Sequence, residues 1–138
     1  MTLRIGKKLN CRILLVEDVV ANQQLIVRIL EKAGADVSVA DNGRHAVDLV
    51  LAAKTADSAF DIILMDIQMP VMDGREATRQ LRGIGYTNLI IAVTANAATE
   101  DRQQCLEAGC DDYMTKPFDI STFVAVVGKH LAQEQLQT

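Results

Sequence analysis

Glu17, Asp18 and Asp66 are carboxylates placed directly after apolar runs. Ile13-Leu14-Leu15-Val16 leads into Glu17-Asp18, and Ile62-Ile63-Leu64-Met65 leads into Asp66. Short apolar runs with polar ends read as buried strands of a parallel sheet. Such a sheet gathers its ligand site at the carboxyl ends of its strands. Thr94 and Lys116 stand in the same position after two further runs. If these strands are neighbours, three acids, a hydroxyl and an ammonium share one edge. Two like unit charges about 4 Å apart repel by roughly 4 kcal/mol at an effective dielectric near 20, so the acids call for a cation or a proton. Oxygen ligands of this kind suit a small hard cation such as Mg²⁺. A carboxylate can also act as a nucleophile and form an aspartyl-phosphate. Phosphoryl transfer asks mainly for positioning and charge neutralisation, which a metal, a lysine and a hydroxyl would supply.

The elements that must position these groups alternate along the chain. Residues 11–16 read as a strand. Residues 20–33 follow as a helix, with Leu25, Ile26, Ile29, Leu30 and Ala33 at helical spacing and Gly34 as its stop. A second strand at 36–40 precedes a helix capped by Asn42 and running to about residue 54. A third strand at 60–65 is followed by a helix at 74–82, and a fourth strand at 88–93 by a helix capped by Thr99 and ended by Gly109. A short fifth strand at 112–115 leads to a last helix capped by Asp119, with Phe123, Val124, Val127 and Leu131 on one face. Strands alternating with helices predict an α/β domain, a parallel sheet covered on both faces by right-handed crossovers.

Length and composition bound the alternatives. The chain has 138 residues, 49% of them hydrophobic, and a formal net charge of -4 with no basic block. One soluble domain of residues 11–133 fits these values, with 1–10 as an N-terminal extension or linker and 134–138 as a polar, frayed C-terminal tail. The acidic balance argues against direct nucleic-acid binding. No apolar run is long enough for a membrane span, and residues 1–10 hold no signal-peptide core. Cys11, Cys105 and Cys110 lack metal or redox spacing and read as small buried hydrophobes in a reducing compartment. His45 and His130 read as solvent-facing, Asp73 as a turn former before Gly74, and Asn22 and Gln23 as ordinary first-turn helix polars. The methionines Met65, Met69, Met72 and Met114 read as packing.

Four segments together carry a specific resemblance. Ile13-Leu14-Leu15-Val16-Glu17-Asp18, the run from Leu64 through Asp66 to Gly74, Ala92-Val93-Thr94-Ala95-Asn96-Ala97, and Asp111-Asp112-Tyr113-Met114-Thr115-Lys116-Pro117 resemble, in order and spacing, receiver domains of two-component signalling. The resemblance covers residues 12–131. It implies a flavodoxin-like receiver fold, a five-stranded parallel sheet in order 2-1-3-4-5 with five helices on both faces. It implies Asp66 as phosphoacceptor, Mg²⁺ (or Mn²⁺) held by Asp18, Asp66 and the backbone carbonyl of Gln68, and Glu17 holding the metal through water. Lys116 and Thr94 would meet the phosphoryl oxygens, Thr94 and Tyr113 would form the conformational switch, and Lys116-Pro117 would be cis. No separate cofactor-binding residues are implied.

Phosphate would come from a phosphohistidine on a histidine kinase or a histidine phosphotransfer domain, with the first helix and the Pro117-Phe118 loop as docking surface. The starts of the first helix, Asn96 and Cys110-Asp111 look most like a receiver of a hybrid histidine kinase phosphorelay. A stand-alone response regulator is the alternative. Either is expected in the cytoplasm, with room for a membrane-anchored parent, and neither is expected to act as an independent multiple-turnover enzyme. A phosphohydrolase with an aspartyl nucleophile typically carries a second Asp two residues later; Gln68 stands there. A nucleotide-binding module would need a Gly-rich phosphate loop, which the sequence lacks. Val19 departs from the family, which often has a polar residue after the acidic pair.

Overall fold

The computed structural model describes residues 11–67, 73–95 and 99–137, with side chains in the last stretch described for 102–130. Among the described residues, ten elements alternate between strand and helix. They are β1 (Arg12–Val16), α1 (Val20–Lys32), β2 (Asp36–Ala40), α2 (Gly43–Thr55), β3 (Ile62–Asp66), α3 (Gly74–Gly83), β4 (Leu89–Thr94), α4 (Thr99–Ala108), β5 (Asp112–Thr115) and α5 (Ile120–Gln137). The strands form one parallel sheet in the order β2-β1-β3-β4-β5.

The apolar runs are unbroken because both faces of the sheet are covered. Alternate residues serve two separate cores. Leu14, Val16, Ile63, Met65, Ile90 and Ala92 face α2, α3 and α4 and pack with Ala46, Val50, Ala77, Leu81 and Cys105. Ile13, Leu15, Ile62, Leu64, Ile91 and Val93 face α1 and α5 and pack with Ile26, Leu30, Phe123 and Val127. Burying side chains of this size is worth about 1.5–3 kcal/mol each. The helices divide this way because the chain reverses direction across the sheet after β2. Crossovers of one hand then place α1 on one face and α2, α3 and α4 on the other.

Short polar side chains start three of the helices. Asn42 Oδ1 accepts from His45 N–H at 2.9 Å, and Asp73 Oδ1 accepts from Arg75 and Glu76 N–H at 2.9 and 3.0 Å. Asp119 Oδ1 accepts from Ser121 N–H at 3.2 Å. Asp73 is therefore a helix cap, a more specific job than turn former. α4 ends on Gly109 at φ +118°, a left-handed backbone that glycine adopts without strain. Cys110 N–H returns to Cys105 C=O at 3.0 Å and Gly109 N–H to Leu106 C=O at 3.1 Å. That double closure brings the two thiols together as the apolar contact of the helix end. All three cysteines are free and buried. The hydrogen bond with Cys105, together with burial, pushes the Cys110 thiol up, and burial beside Asp61 pushes Cys11 up to about 11. Neither is primed as a thiolate.

The element order agrees with expectation, and several boundaries move. β3 starts at Ile62 and not at residue 60, because the Phe60 carbonyl accepts from Tyr86 O–H at 3.1 Å and Asn88 Nδ2 at 3.0 Å and leaves the ladder. β4 starts at Leu89 and includes Thr94, and β3 includes Asp66. α5 runs to Gln137, through residues expected to form a frayed tail. Residues 1–10, the Thr99 side-chain cap, Met69, Met72 and the Leu131 side chain lie outside what is described.

Candidate functional site

Strand register assembles the site. β1 and β3 pair with Val16 opposite Met65, so the next residue of each, Glu17 and Asp66, are level. β3 and β4 pair with Asp66 opposite Val93, which places Thr94 one step beyond. β4 and β5 pair with Thr94 opposite Thr115, and Lys116 N–H then bonds to Thr94 C=O at 2.9 Å. Four strand ends thus carry Glu17-Asp18, Asp66, Thr94 and Lys116 to one edge.

Glu17, Asp18 and Asp66 each offer an oxygen within 4.8 Å of the others. Glu17 and Asp66 are buried and Asp18 is half-exposed. Lys116 Nζ lies 3.3 Å from Asp66 Oδ2 and 3.7 Å from Glu17 Oε1. Like charges at 4.8 Å repel by about 3 kcal/mol per pair at an effective dielectric near 20. One ammonium against three carboxylates leaves a formal charge of two negative, all on hard oxygen donors. This donor set fits a divalent cation such as Mg²⁺. Glu17 is also held by its neighbours, since Oε2 accepts from Val19 N–H at 3.2 Å and its own N–H bonds to Ala40 C=O at 3.0 Å.

Thr94 is buried at 2% exposure. By strand alternation it shares the α4 side of the sheet with Tyr113, which packs against the α2-α3-α4 core. The Tyr113 ring is half-buried, with the Arg102 guanidinium of α4 5.1 Å from its centroid. The Lys116-Pro117 bond is cis. On the opposite side, a groove of about 360 Å³ opens between α1 and the β5–α5 loop, beside Glu17 and Lys116 and floored by Ile26 and Phe118. Leu25 lines it at 56% exposure. The expected roles of the Gln68 carbonyl and Asn96 fall outside the described residues.

Two readings of single residues change. His130 is not solvent-facing: its side chain is 16% exposed, and Nε2 lies 3.1 Å from Asp112 Oδ2. Gln23 is not an ordinary first-turn polar: its Nε2 donates to Glu17 C=O at 2.6 Å and to Asp41 Oδ1 at 2.9 Å. Asp41 follows β2 as Asp66 ends β3, so the strand-end rule that singled out the other acids would have found it. His45 is partly exposed, its Nδ1 accepting from Asp41 N–H at 3.2 Å.

Residues 13–128 match the family model described as "Response regulator receiver domain". The chain belongs to the response regulator receiver domain family. This receiver is 40% identical over 126 residues to the hybrid signal transduction histidine kinase I of Dictyostelium discoideum, a match covering 88% of the chain. It spans only 7% of that relative's length. It is also 40% identical to the two-component response regulator ORR41 of Oryza sativa subsp. japonica, over 86% of the chain and 92% of the relative. Among solved structures it resembles the receiver domain of the response regulator Ssk1 of Saccharomyces cerevisiae, co-crystallised with the histidine phosphotransfer signaling protein Ypd1. That similarity has a TM-score of 0.70 at 30% identity over 87% of this chain and 86% of the other. Among the described residues no helix is long and apolar enough to cross a membrane.

Proposed function

We propose that this receiver takes a phosphoryl group from a phosphohistidine onto Asp66, with Mg²⁺ held at the acidic cluster. The observation that carries the reading is the convergence of three carboxylates within 4.8 Å with a lysine 3.3 Å from Asp66. An Asp66 carboxylate oxygen attacks phosphorus; the new P–O bond forms as the P–N bond breaks, and its electron pair leaves with the imidazole nitrogen. Asp18 and Asp66 would hold the metal directly and Glu17 would hold it through water, while the role expected of the Gln68 carbonyl lies outside the described residues. When bound, Mg²⁺ supplies positive charge against the phosphoryl oxygens. Lys116 contacts a phosphoryl oxygen from the β5 side, and Thr94 donates its hydroxyl to another.

The acyl phosphate adds about 1.5–2 negative charges at pH 7. Thr94 moves toward it, and Tyr113 follows into the space vacated beneath α4. The likeness to hybrid histidine kinases supports a place in a phosphorelay, and the groove beside Leu25 and Phe118 suits a helical histidine phosphotransfer partner. The likeness to a response regulator of nearly the same length supports the second reading, a single-domain regulator. The receiver is assigned to residues 11–133 and to the cytoplasm. Incubation with acetyl phosphate and Mg²⁺ tests the central step. The wild type gains one acid-labile phosphate and Asp66→Asn gains none; equal labelling of that variant removes Asp66 from the role. Sustained release of phosphate from a generic phosphomonoester would instead mark a phosphohydrolase.

A further inference from the structure

Gln23 reaches from the first turn of α1 back over the β1–α1 loop. Its amide nitrogen spends both hydrogens, one on the Glu17 carbonyl at 2.6 Å and one on the Asp41 carboxylate at 2.9 Å. Its own N–H closes on Val19 C=O at 2.9 Å. Glu17 is therefore gripped at both ends of its backbone unit, by Ala40 through its N–H and by Gln23 through its C=O. Asp41 is anchored in turn, its N–H donating to His45 Nδ1 at 3.2 Å on the first turn of α2. A chain of hydrogen bonds thus runs from α2 through the end of β2 to the peptide joining Glu17 to Asp18.

That peptide links the two acids directly. At the start of α1, Val19 offers no side-chain cap, and within the loop its N–H donates to Glu17 Oε2 at 3.2 Å. The three carboxylates repel one another, and a loop free to open would let Asp18 swing away into water. Groups that orient ligands without touching the ion typically change metal affinity by about 10–100-fold when removed.

We infer that Gln23, held by Asp41, is a positioning residue that keeps the Glu17-Asp18 pair closed for a divalent cation. The inference rests on the cation reading above and adds residues to it. It acts on metal affinity, because the hydrogen bonds of Gln23 and Asp41 run to the Glu17 main chain and to α2.

Isothermal titration with MgCl₂, without phosphodonor, reads this directly. Gln23→Leu keeps the shape and loses both donors; its Mg²⁺ affinity is expected to fall about tenfold. Asp41→Ala, at a 69% exposed side chain, is expected to fold and to weaken binding in the same direction by a smaller factor. Since Asp41 acts through Gln23, the double variant is expected to bind no more weakly than Gln23→Leu alone. Labelling by acetyl phosphate at saturating Mg²⁺ is expected to return to the wild-type rate. Unchanged Mg²⁺ affinity in both single variants, additive losses in the double variant, or a labelling deficit that Mg²⁺ does not rescue would each overturn the clamp. Failure of the Asp66 assignment would show separately, as labelling of Asp66→Asn.

Discussion

Single residues here are tuned by what lies within one side-chain length. Asp112 is the clearest case outside the acidic cluster. Burial acts to raise its carboxyl pKa, but the bond from Tyr113 N–H, the contact with His130 and the charge of Lys129 outweigh it, so the net shift is downward. A carboxyl with a depressed folded-state pKa stabilises the fold above its unfolded value and loses that contribution as pH falls through its folded value. Asp112→Asn keeps an acceptor for Tyr113 N–H and removes the charge. The wild type is therefore expected to exceed Asp112→Asn in stability at pH 5–6, with the gap closing below about pH 4. Urea denaturation of both proteins from pH 3 to 6 measures this, and a gap independent of pH would show that the charge contributes nothing. His130 sits in this contact although a lone histidine on a helix reads as exposed. The helix pattern shows its face, but the acid it meets is 18 residues away on a strand.

At the scale of elements, the helix after β3 is placed by one close approach. A Cβ on Gly74 would lie 2.5 Å from the Asp66 carbonyl oxygen and 2.8 Å from Ile67 Cα. Both are backbone atoms at the site, so neither can turn aside as a flexible side chain would. Gly74 N–H also bonds to Ile67 C=O at 3.0 Å. Gly74→Ala must push α3 away from the end of β3, at an expected cost of about 1–3 kcal/mol. Because the clash falls on the Asp66 main chain, its labelling by acetyl phosphate should slow as well. Denaturation midpoints and labelling rates measured together test this; a variant that is destabilised but labels normally would mean that α3 shifts without moving Asp66. Elsewhere Arg82 ties α3 to the starts of β4 and β5. Its guanidinium donates to Gly109, Tyr86 and Asn88 carbonyls and to Asp111 Oδ2, all at 2.8–2.9 Å. Nothing in the local pattern around Arg82 marks it, because its partners come from two separate stretches of chain, the second of them 27–29 residues away.

For the whole molecule, the acidic cluster sets stability against readiness to bind. The three carboxylates are a cost in the metal-free fold that a bound divalent ion removes. Saturation at ten times the dissociation constant stabilises a fold by about 1.4 kcal/mol, which for a chain of this size raises Tm by about 4 °C. Addition of MgCl₂ to the wild type is expected to give a rise of this order. Asp18→Asn removes one member of the crowd, so it should melt higher than the wild type in EDTA and gain little from MgCl₂. Thermal scans of the two proteins with and without the ion decide it; a wild type indifferent to MgCl₂ would contradict the cation reading.

The alternation of elements, both buried layers and the strand-end positions of Glu17, Asp18, Asp66, Thr94 and Lys116 were legible in the chain itself. Periods of 2 and 3.6 residues are local properties, and a strand covered on both faces has no choice but to be apolar. Tertiary structure alone decided that Glu17 is level with Asp66, that Lys116 lies 3.3 Å from one acid and 3.7 Å from another, and that Gln23 and Asp41 close over the loop between β1 and α1. Register and side-chain reach join residues tens of positions apart, and their energies depend on distances that no local pattern encodes.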